Sequence, residues 1–103
     1  MEDFIRSRVA QLRLQKGISA REMSLSLGQN EAYINHIENG KTLPSLQGLS
    51  YICEFLGISL HQFFDEENIA PSQVDEITKD LKRLDPQALT HIAAVVKAFI
   101  PKT

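Results

Sequence analysis

Apolar residues recur at helical spacing along almost the whole chain, and glycine, proline, serine and asparagine separate the runs. In the first run Ile5, Val9 and Leu12 fall at i, i+4 and i+7, and Gly17 follows the run. This pattern predicts a helix from about Asp3 to Lys16, because glycine after the last periodic residue favours a left-handed stop. Strand signals are weak, so the pattern predicts an all-helical chain.

Two short helices are predicted next. Ser19 stands three residues before Glu22, the spacing of a capping box, and Gly28 ends this second helix after about two turns. Asn30 is predicted to cap a third helix that covers 31–38, and Asn39-Gly40 closes it. Met23 and Leu27 of the second helix and Ile34 and Ile37 of the third face inward. The two helices and their glycine-containing turn form a helix-turn-helix pattern.

The fourth and fifth helices follow at short intervals. Pro44-Ser45 opens the fourth, Gly57 stops it, and its apolar stripe comprises Leu46, Leu49, Ile52, Cys53 and Leu56. Ser59 is predicted to cap a fifth helix that ends in Phe63-Phe64. Five helices in about sixty residues predict a compact bundle over 1–64.

The remaining third of the chain has a different pattern. Residues 65–71 begin with Asp65-Glu66-Glu67 and are predicted to form an acidic linker, and 72–103 are predicted to form a helical hairpin. Ser72 is the expected cap of its first helix, and Asp85-Pro86 the expected start of its second. The apolar positions of this hairpin are Val74, Ile77, Leu81, Leu84, Leu89, Ile92, Val96 and Phe99. So small a hairpin cannot bury these faces by itself.

Composition limits the possible chemistry. The chain has 103 residues, 43% of them hydrophobic and 23% charged, which fits one small globular domain with an appendage. The single Cys53 excludes an intrachain disulfide, and together with His36, His61 and His91 it has no spacing for a closed zinc site. No cofactor is expected. The polar N-terminal stretch and the lack of a long apolar run predict a cytoplasmic protein.

The segment from about Ile5 to Phe64 resembles the helix-turn-helix domain of the Cro and phage-repressor superfamily, also called the xenobiotic-response-element type. The resemblance lies in Ile18-Ser19, Glu22-Met23-Ser24, Gly28, the run from Ile34 to Lys41, and Pro44-Ser45. It implies a five-helix lambda-repressor-like DNA-binding bundle, followed here by the C-terminal helical hairpin. In such a bundle the third helix enters the major groove.

The resemblance also implies which residues touch DNA. The base-contacting positions would be Glu31, Ala32, Tyr33, Asn35 and His36. The phosphate-contacting positions would be Ser19, Ala20, Arg21, Asn39, Lys41, Thr42 and Ser45. Ala20 departs from the glutamine that many relatives have there. Arg13 and Glu38 match the positions of a structural ion pair that joins the first helix to the third.

Net charge favours a modest DNA binder. The chain has a formal charge of -2 and a pI of about 5.9, but basic and acidic residues balance over 1–64 and the acidic excess lies in Asp65-Glu66-Glu67. A neutral DNA-binding domain should bind phosphates weakly, so two copies are expected to act together. The apolar surplus of the hairpin offers a two-fold interface, formed by Leu81, Leu84, Leu89, Ile92, Val96 and Phe99.

The resulting hypothesis is a homodimeric transcription regulator without enzymatic activity, which represses by binding a palindromic operator in double-stranded DNA. The alternative is a protein-interaction or antitoxin-like module on a helix-turn-helix scaffold with little or no DNA binding. Either its recognition surface has lost the DNA role, or its hairpin holds another polypeptide. The balanced charge and the acidic Glu31 on the presumed groove face favour this alternative.

Overall fold

The structure is a computed structural model that describes residues 1–101, so positions 102 and 103 of the predicted hairpin lie outside the described residues. The described part is all helical, as predicted, and none of its helices is long and apolar enough to cross a membrane. The helices are α1 (Glu2–Lys16), α2 (Ala20–Ser26), α3 (Tyr33–Glu38), α4 (Leu46–Leu56), α5 (Leu60–Phe64), α6 (Pro71–Leu81) and α7 (Pro86–Phe99). They belong to two compact units, one of residues 1–72 and one that begins at residue 73.

The predicted helix starts are confirmed by side-chain caps at four positions. The hydroxyl oxygens of Ser19, Ser45 and Ser59, and Oδ1 of Asp85, each accept a hydrogen bond from a backbone N–H in the first turn of their helix. These bonds satisfy donors that the helix itself leaves without a partner. Gly17 ends α1 and Gly57 ends α4 in the left-handed conformation, with φ of 74° and 73°. The sequence therefore located most helix boundaries correctly.

The predicted start of the third helix at residue 31 is wrong by one half-turn. Asn30 Oδ1 accepts the N–H of Ala32 at 3.0 Å, and the Asn30 carbonyl accepts the N–H of Tyr33 at 3.1 Å. These bonds fold residues 30–33 into a turn, because an asparagine side chain can imitate a backbone turn. Helix α3 therefore begins at Tyr33, and Glu31 and Ala32 lie in the turn that precedes it.

All five helices of the first unit contribute to one hydrophobic core. Val9, Met23, Ile34, Ile52 and Phe63 are completely buried, one from each helix. Leu12, Ile37, Leu49, Cys53, Leu56 and Ile58 complete the buried cluster. Leu46 belongs to the predicted apolar stripe of the fourth helix but is exposed, since it occupies the first turn of α4, ahead of the buried residues. The core holds the α2–α3 pair against α1 and α4.

The predicted acidic linker is attached to the first unit by Arg8 of α1. Arg8 is buried, and its guanidinium donates to the carbonyls of Gln62, Phe63, Asp65 and Asn68 at 2.8–3.1 Å. Burial lowers the pKa of Arg8, whereas the nearby carboxylates of Asp65 and Glu66 raise it. The described structure thus extends the first unit beyond the predicted boundary at residue 64.

The start of α6 also belongs to this first unit. Pro71 is buried and is the first residue of the helix, which suits proline because its missing N–H would have had no helical partner. The prediction that Ser72 caps this helix is wrong: its hydroxyl donates to the Leu56 carbonyl at 3.0 Å instead. That bond attaches the first turn of α6 to the end of α4.

The second unit has no fully buried residue within its described part, which ends at residue 101. Its apolar side chains are exposed by about two fifths or more at Val74, Ile77, Leu84, Leu89, Ile92, Val96 and Phe99, and Leu81 is half-buried. Local interactions nevertheless define the helices, as the Asp85 cap of α7 shows. The unit consists of two amphipathic helices without a core of their own.

Candidate nucleic-acid interface

The pairing of α2 with α3 depends on one buried hydroxyl. Ser24 of α2 is fully buried; its Oγ donates to the Ala20 carbonyl at 2.7 Å and accepts the N–H of Ile34 at 2.9 Å. The second bond supplies an acceptor to a backbone N–H in the first turn of α3, where no helical partner exists. Ser24 therefore fixes the start of α3 against the middle of α2.

A partly buried ion pair fixes the other end of α3. Arg13 Nε lies 2.7 Å from Glu38 Oε2 and Arg13 Nη2 lies 3.0 Å from Glu38 Oε1, which is the two-pronged geometry of a strong pair. Arg13 Nη1 also donates to the Ile18 carbonyl, just before α2. The hydrogen bond to Glu38 raises the pKa of Arg13. One side chain of α1 thus holds both helices of the motif.

With its inner side fixed, α3 presents its other side chains outward. Ile34 and Ile37 are buried, whereas Glu31 and Asn35 are exposed and Ala32, Tyr33 and His36 are half-buried. Asn35 Oδ1 accepts a hydrogen bond from Asn39 Nδ2 at 3.2 Å. The residues that sequence analysis assigned to DNA bases therefore lie on the outer side of α3 and of the turn before it.

A small open cleft beside α3 measures about 280 Å³ and lies between α3 and the start of α2. It is lined by Ala20, Arg21, Glu31, Ala32 and Asn35. Arg21 Nη1 and Glu31 Oε2 lie 2.7 Å apart in it, with both side chains more than half exposed. Two expected DNA contacts are thus paired with each other in the free chain.

A larger cleft, about 480 Å³, separates α3 from the loop before α4. It is lined by Gln29, Asn30, Tyr33, His36, Thr42, Leu43, Pro44, Ser45, Gln47, Gly48 and Tyr51. The expected base contacts Tyr33 and His36 therefore share this cleft with the expected phosphate contacts Thr42 and Ser45. Between them the two clefts bring together most of the predicted site.

Tyr33 has a structural as well as a surface role. Its ring packs against the core, and burial raises the pKa of its hydroxyl. A Cβ atom on Gly48 would lie 2.8 Å from the Tyr33 hydroxyl oxygen, so a larger residue at position 48 would have to displace the Tyr33 side chain. Tyr33 therefore belongs both to the packing of α3 and to the lining of the larger cleft.

Three predicted phosphate contacts lie outside the residues that line the clefts. The Ser19 hydroxyl oxygen accepts the Glu22 N–H at 3.0 Å as the cap of α2. Asn39 and Lys41 are exposed at the end of α3, where the Lys41 N–H donates to the His36 carbonyl. That bond orders the backbone of the loop while the ammonium of Lys41 extends into solvent.

The roles of Ser24 and Arg8 were not among the predictions from the sequence. Both had a detectable signal: Arg8 lies three residues after Ile5 and four before Leu12, on the apolar face of α1, and Ser24 lies three residues before Leu27, on the inward side of α2. A polar residue among buried positions needs a partner, but the identity of that partner depends on the fold. Within the part of the chain that is described, no cluster of metal-ligating side chains occurs.

Comparisons with known proteins identify the family of the helix-turn-helix segment. Residues 9–63, more than half of the chain, match the Helix-turn-helix family model. The chain is 35% identical over 66 residues to the HTH-type transcriptional regulator SinR of Bacillus subtilis (strain 168), an alignment that covers 63% of this chain and 60% of SinR. It is 37% identical over 49 residues to the ImmF control region 10 kDa protein of Bacillus phage phi105, covering 48% of this chain and 54% of that protein.

A solved structure adds evidence for the fold. The clp gene regulator ClgR of Corynebacterium glutamicum superposes with a TM-score of 0.58 at 23% identity, covering 80% of this chain and 86% of ClgR. The chain spans only about three fifths or less of the two curated relatives, so the match concerns their shared domain. By its family match, its motif and its helical architecture, the chain belongs to the Cro and phage-repressor type of helix-turn-helix transcriptional regulators.

Proposed function

We propose that this protein is a transcriptional repressor that binds a palindromic operator in double-stranded DNA as a homodimer. The observation that most supports this proposal is the composition of the two clefts beside α3. Each contains outward side chains of α3, or of the turn before it, together with residues from an adjacent element suited to contact phosphates. A helix in the major groove needs this combination, since phosphate contacts position it and base contacts give specificity.

Base recognition is assigned to five residues of α3 and the turn before it. The Asn35 amide suits the bidentate pairing with adenine, and Glu31 can accept a hydrogen bond from cytosine N4. His36 can donate to a purine, while Ala32 or the Tyr33 ring can contact a thymine methyl. The neighbouring Ile34 and Ile37 are buried and take no part.

Phosphate contacts are assigned to the elements on both sides of α3. Lys41 is the strongest candidate because its exposed ammonium lies in the loop that follows α3. Arg21, Thr42 and Ser45 line the clefts, and Ser19, Ala20 and Asn39 complete the set. With so few cations, each protomer should show a shallow dependence of affinity on salt.

Dimerisation is assigned to the second unit because its apolar residues lack a core. The proposed interface comprises Leu81, Leu84, Leu89, Ile92, Val96 and Phe99, and Phe99 is 82% exposed. An isologous contact between two copies would bury this surface and present two α3 helices to half-sites about 34 Å apart.

The proposal is tested by selecting bound sites from a random duplex library. We expect a palindrome whose half-site centres are separated by about one helical turn, roughly 10 base pairs. Asn35→Ala should relax the preference at one position of each half-site, whereas Ser50→Ala, an exposed change on α4, should leave the selected sequence unchanged. Selection without enrichment of any sequence would contradict the proposal.

The homodimer is tested separately by sedimentation at micromolar concentration. Ile92→Asp adds a charge to the proposed interface and should give monomers, while Ala94→Asp adds the same charge to the opposite side of α7 and should not. A wild-type protein that sediments only as a monomer would contradict dimerisation but not DNA binding by a single copy.

A second candidate function is a protein-interaction or antitoxin-like module. It is supported by the exposed apolar surface of the second unit and by the balanced charge of residues 1–64. Fluorescence anisotropy with a random duplex at low salt separates the two candidates. No binding below about 100 µM would favour the interaction module, since even non-specific DNA binding by a regulator is usually tighter than this.

A further inference from the structure

We infer that Glu31 and Arg21 form an exchangeable pair, in which Glu31 occupies Arg21 in the free protein and releases it to a DNA phosphate only when the correct base is present. Glu31 would then weaken binding to incorrect sequences and also recognise the correct one. This inference rests on the proposed function, because it describes how the DNA-binding surface discriminates between sequences.

The two arginine–glutamate pairs at α3 differ in how easily they exchange partners. Arg13 and Glu38 have side-chain exposures of only 14% and 12%, and Arg13 also donates to a backbone carbonyl. Arg21 and Glu31 have exposures of 68% and 61%, and their contact is 2.7 Å between Nη1 and Oε2. An exposed pair adds little to stability and is easily replaced by other polar contacts. The Arg21–Glu31 pair is therefore suited to exchange, and the Arg13–Glu38 pair to structure.

The position of the exposed pair makes this exchange of partners relevant to DNA binding. Both side chains line the small cleft that Ala32 and Asn35 also line, on the side of α3 next to α2. Carboxylate and phosphate oxygens compete for the same guanidinium donors. A phosphate that reaches Arg21 also brings a negative charge close to Glu31. This approach is unfavourable unless Glu31 has another hydrogen-bond donor.

The amino group of cytosine in the major groove is such a donor. With cytosine at the contacted position, Glu31 exchanges Arg21 for the base, and Arg21 becomes available to the phosphate. With another base Glu31 either keeps Arg21 or faces the phosphates without a partner. The penalty therefore falls on incorrect sequences, which is how unfavourable contacts produce specificity.

The test compares Glu31→Gln with the wild type on a random duplex and on the selected operator. Freeing one arginine per protomer should tighten binding to the random duplex about fourfold at low salt and steepen the slope of log K against log salt by about one. The gain on the operator should be smaller, so the ratio of specific to non-specific affinity falls. The matched control, Glu54→Gln, removes an exposed charge from α4, outside the small cleft, and should change neither value appreciably.

A double variant separates exchange from a general charge effect. In an Arg21→Gln background, Glu31→Gln should lose most of its fourfold gain, because no arginine remains to be released. A gain that persists without Arg21, or that Glu54→Gln reproduces, would overturn the inference. The inference would also be overturned if the wild type binds DNA and Glu31→Gln binds random duplex no more tightly than the wild type. If neither protein binds any duplex, the proposed function fails together with the inference.

Selection with Glu31→Ala, which has no side-chain acceptor for cytosine N4, provides a second readout. Wild-type sites should contain cytosine at one position of each half-site, and the variant should lose this preference while it keeps the others. A preference that remains unchanged would contradict base recognition by Glu31.

Discussion

The two units of this chain have similar apolar residues but use them differently. In residues 1–72, side chains from five helices meet in a core whose central members are completely buried. In the described residues from 73 onward, every large apolar side chain keeps a substantial exposed area. The first unit therefore buries its central apolar residues by itself, although Leu14, Leu25 and Leu46 stay exposed, whereas the second unit leaves most of its apolar surface for a partner.

The difference follows from the number of helices that surround each face. Burial requires neighbours on several sides, and five short helices provide them around Ile34 or Phe63. Two helices alone cannot enclose their faces, because too little surface is removed from water. Amphipathic periodicity thus predicts which face is apolar but not whether that face is buried.

The largest expected difference is between phenylalanine-to-alanine substitutions in the two units. Phe63→Ala should lower the free energy of unfolding by about 3–5 kcal/mol, because it removes a fully buried ring and leaves a cavity. Phe99→Ala should leave the thermal melting of the first unit nearly unchanged and weaken self-association. Calorimetry and sedimentation measure the two effects. Equal destabilisation by both substitutions would contradict the difference between the units.

Arg8 should contribute the next largest effect. Arg8→Met removes the donor to four backbone carbonyls, and the expected loss is about 3 kcal/mol. Arg6→Met on the same helix removes only an exposed pair with Asp3 and should cost less than about 1 kcal/mol. Chemical denaturation compares the two. Proteolysis within 65–71 should also become faster in Arg8→Met alone; an unchanged rate would show that Arg8 does not hold this segment.

The two ion pairs at α3 should also contribute differently to the free energy of unfolding. The difference should be smaller than the one between Arg8 and Arg6. Arg13→Ala leaves Glu38 partly buried without its partner, and should lower the free energy of unfolding by about 2 kcal/mol. It should not change sequence preference. Arg21→Ala should cost less than about 0.5 kcal/mol in stability. An Arg13→Ala protein with normal melting but altered specificity would refute a structural role for this pair.

The smallest effect concerns Cys53 and becomes measurable only at high pH. Burial raises the pKa of its thiol to about 11 from a usual value of 9.0. Below about pH 9 both states keep the proton; between 9 and 11 the unfolded chain loses it first, so stability falls as pH rises. Denaturation at pH 7 and pH 10, compared with Cys53→Ala, isolates this effect.

Alkylation of Cys53 reports the same shift at moderate pH. At pH 8 the folded protein should contain about a hundredfold less thiolate than an exposed cysteine, and iodoacetamide should react correspondingly slowly. Rapid alkylation of the folded protein would contradict burial of this side chain.

By itself the sequence determined the helices, most of their caps, and the family. These features depend on residues close together in the chain: Ser19, Ser45 and Ser59 cap the turn directly after them, and Gly17 and Gly57 end the turn directly before them. The motif also predicted which residues of α3 face outward, because Ile34 and Ile37 define its inner side.

Only the tertiary structure decided which polar residues find partners. Arg8 meets carbonyls more than fifty positions away, Ser24 meets Ile34 across the turn, and Arg21 meets Glu31. Periodicity cannot predict such contacts, since they depend on how the helices pack against one another. The sequence therefore determined the local structure, and packing decided which charges are fixed in place and which remain available to exchange partners.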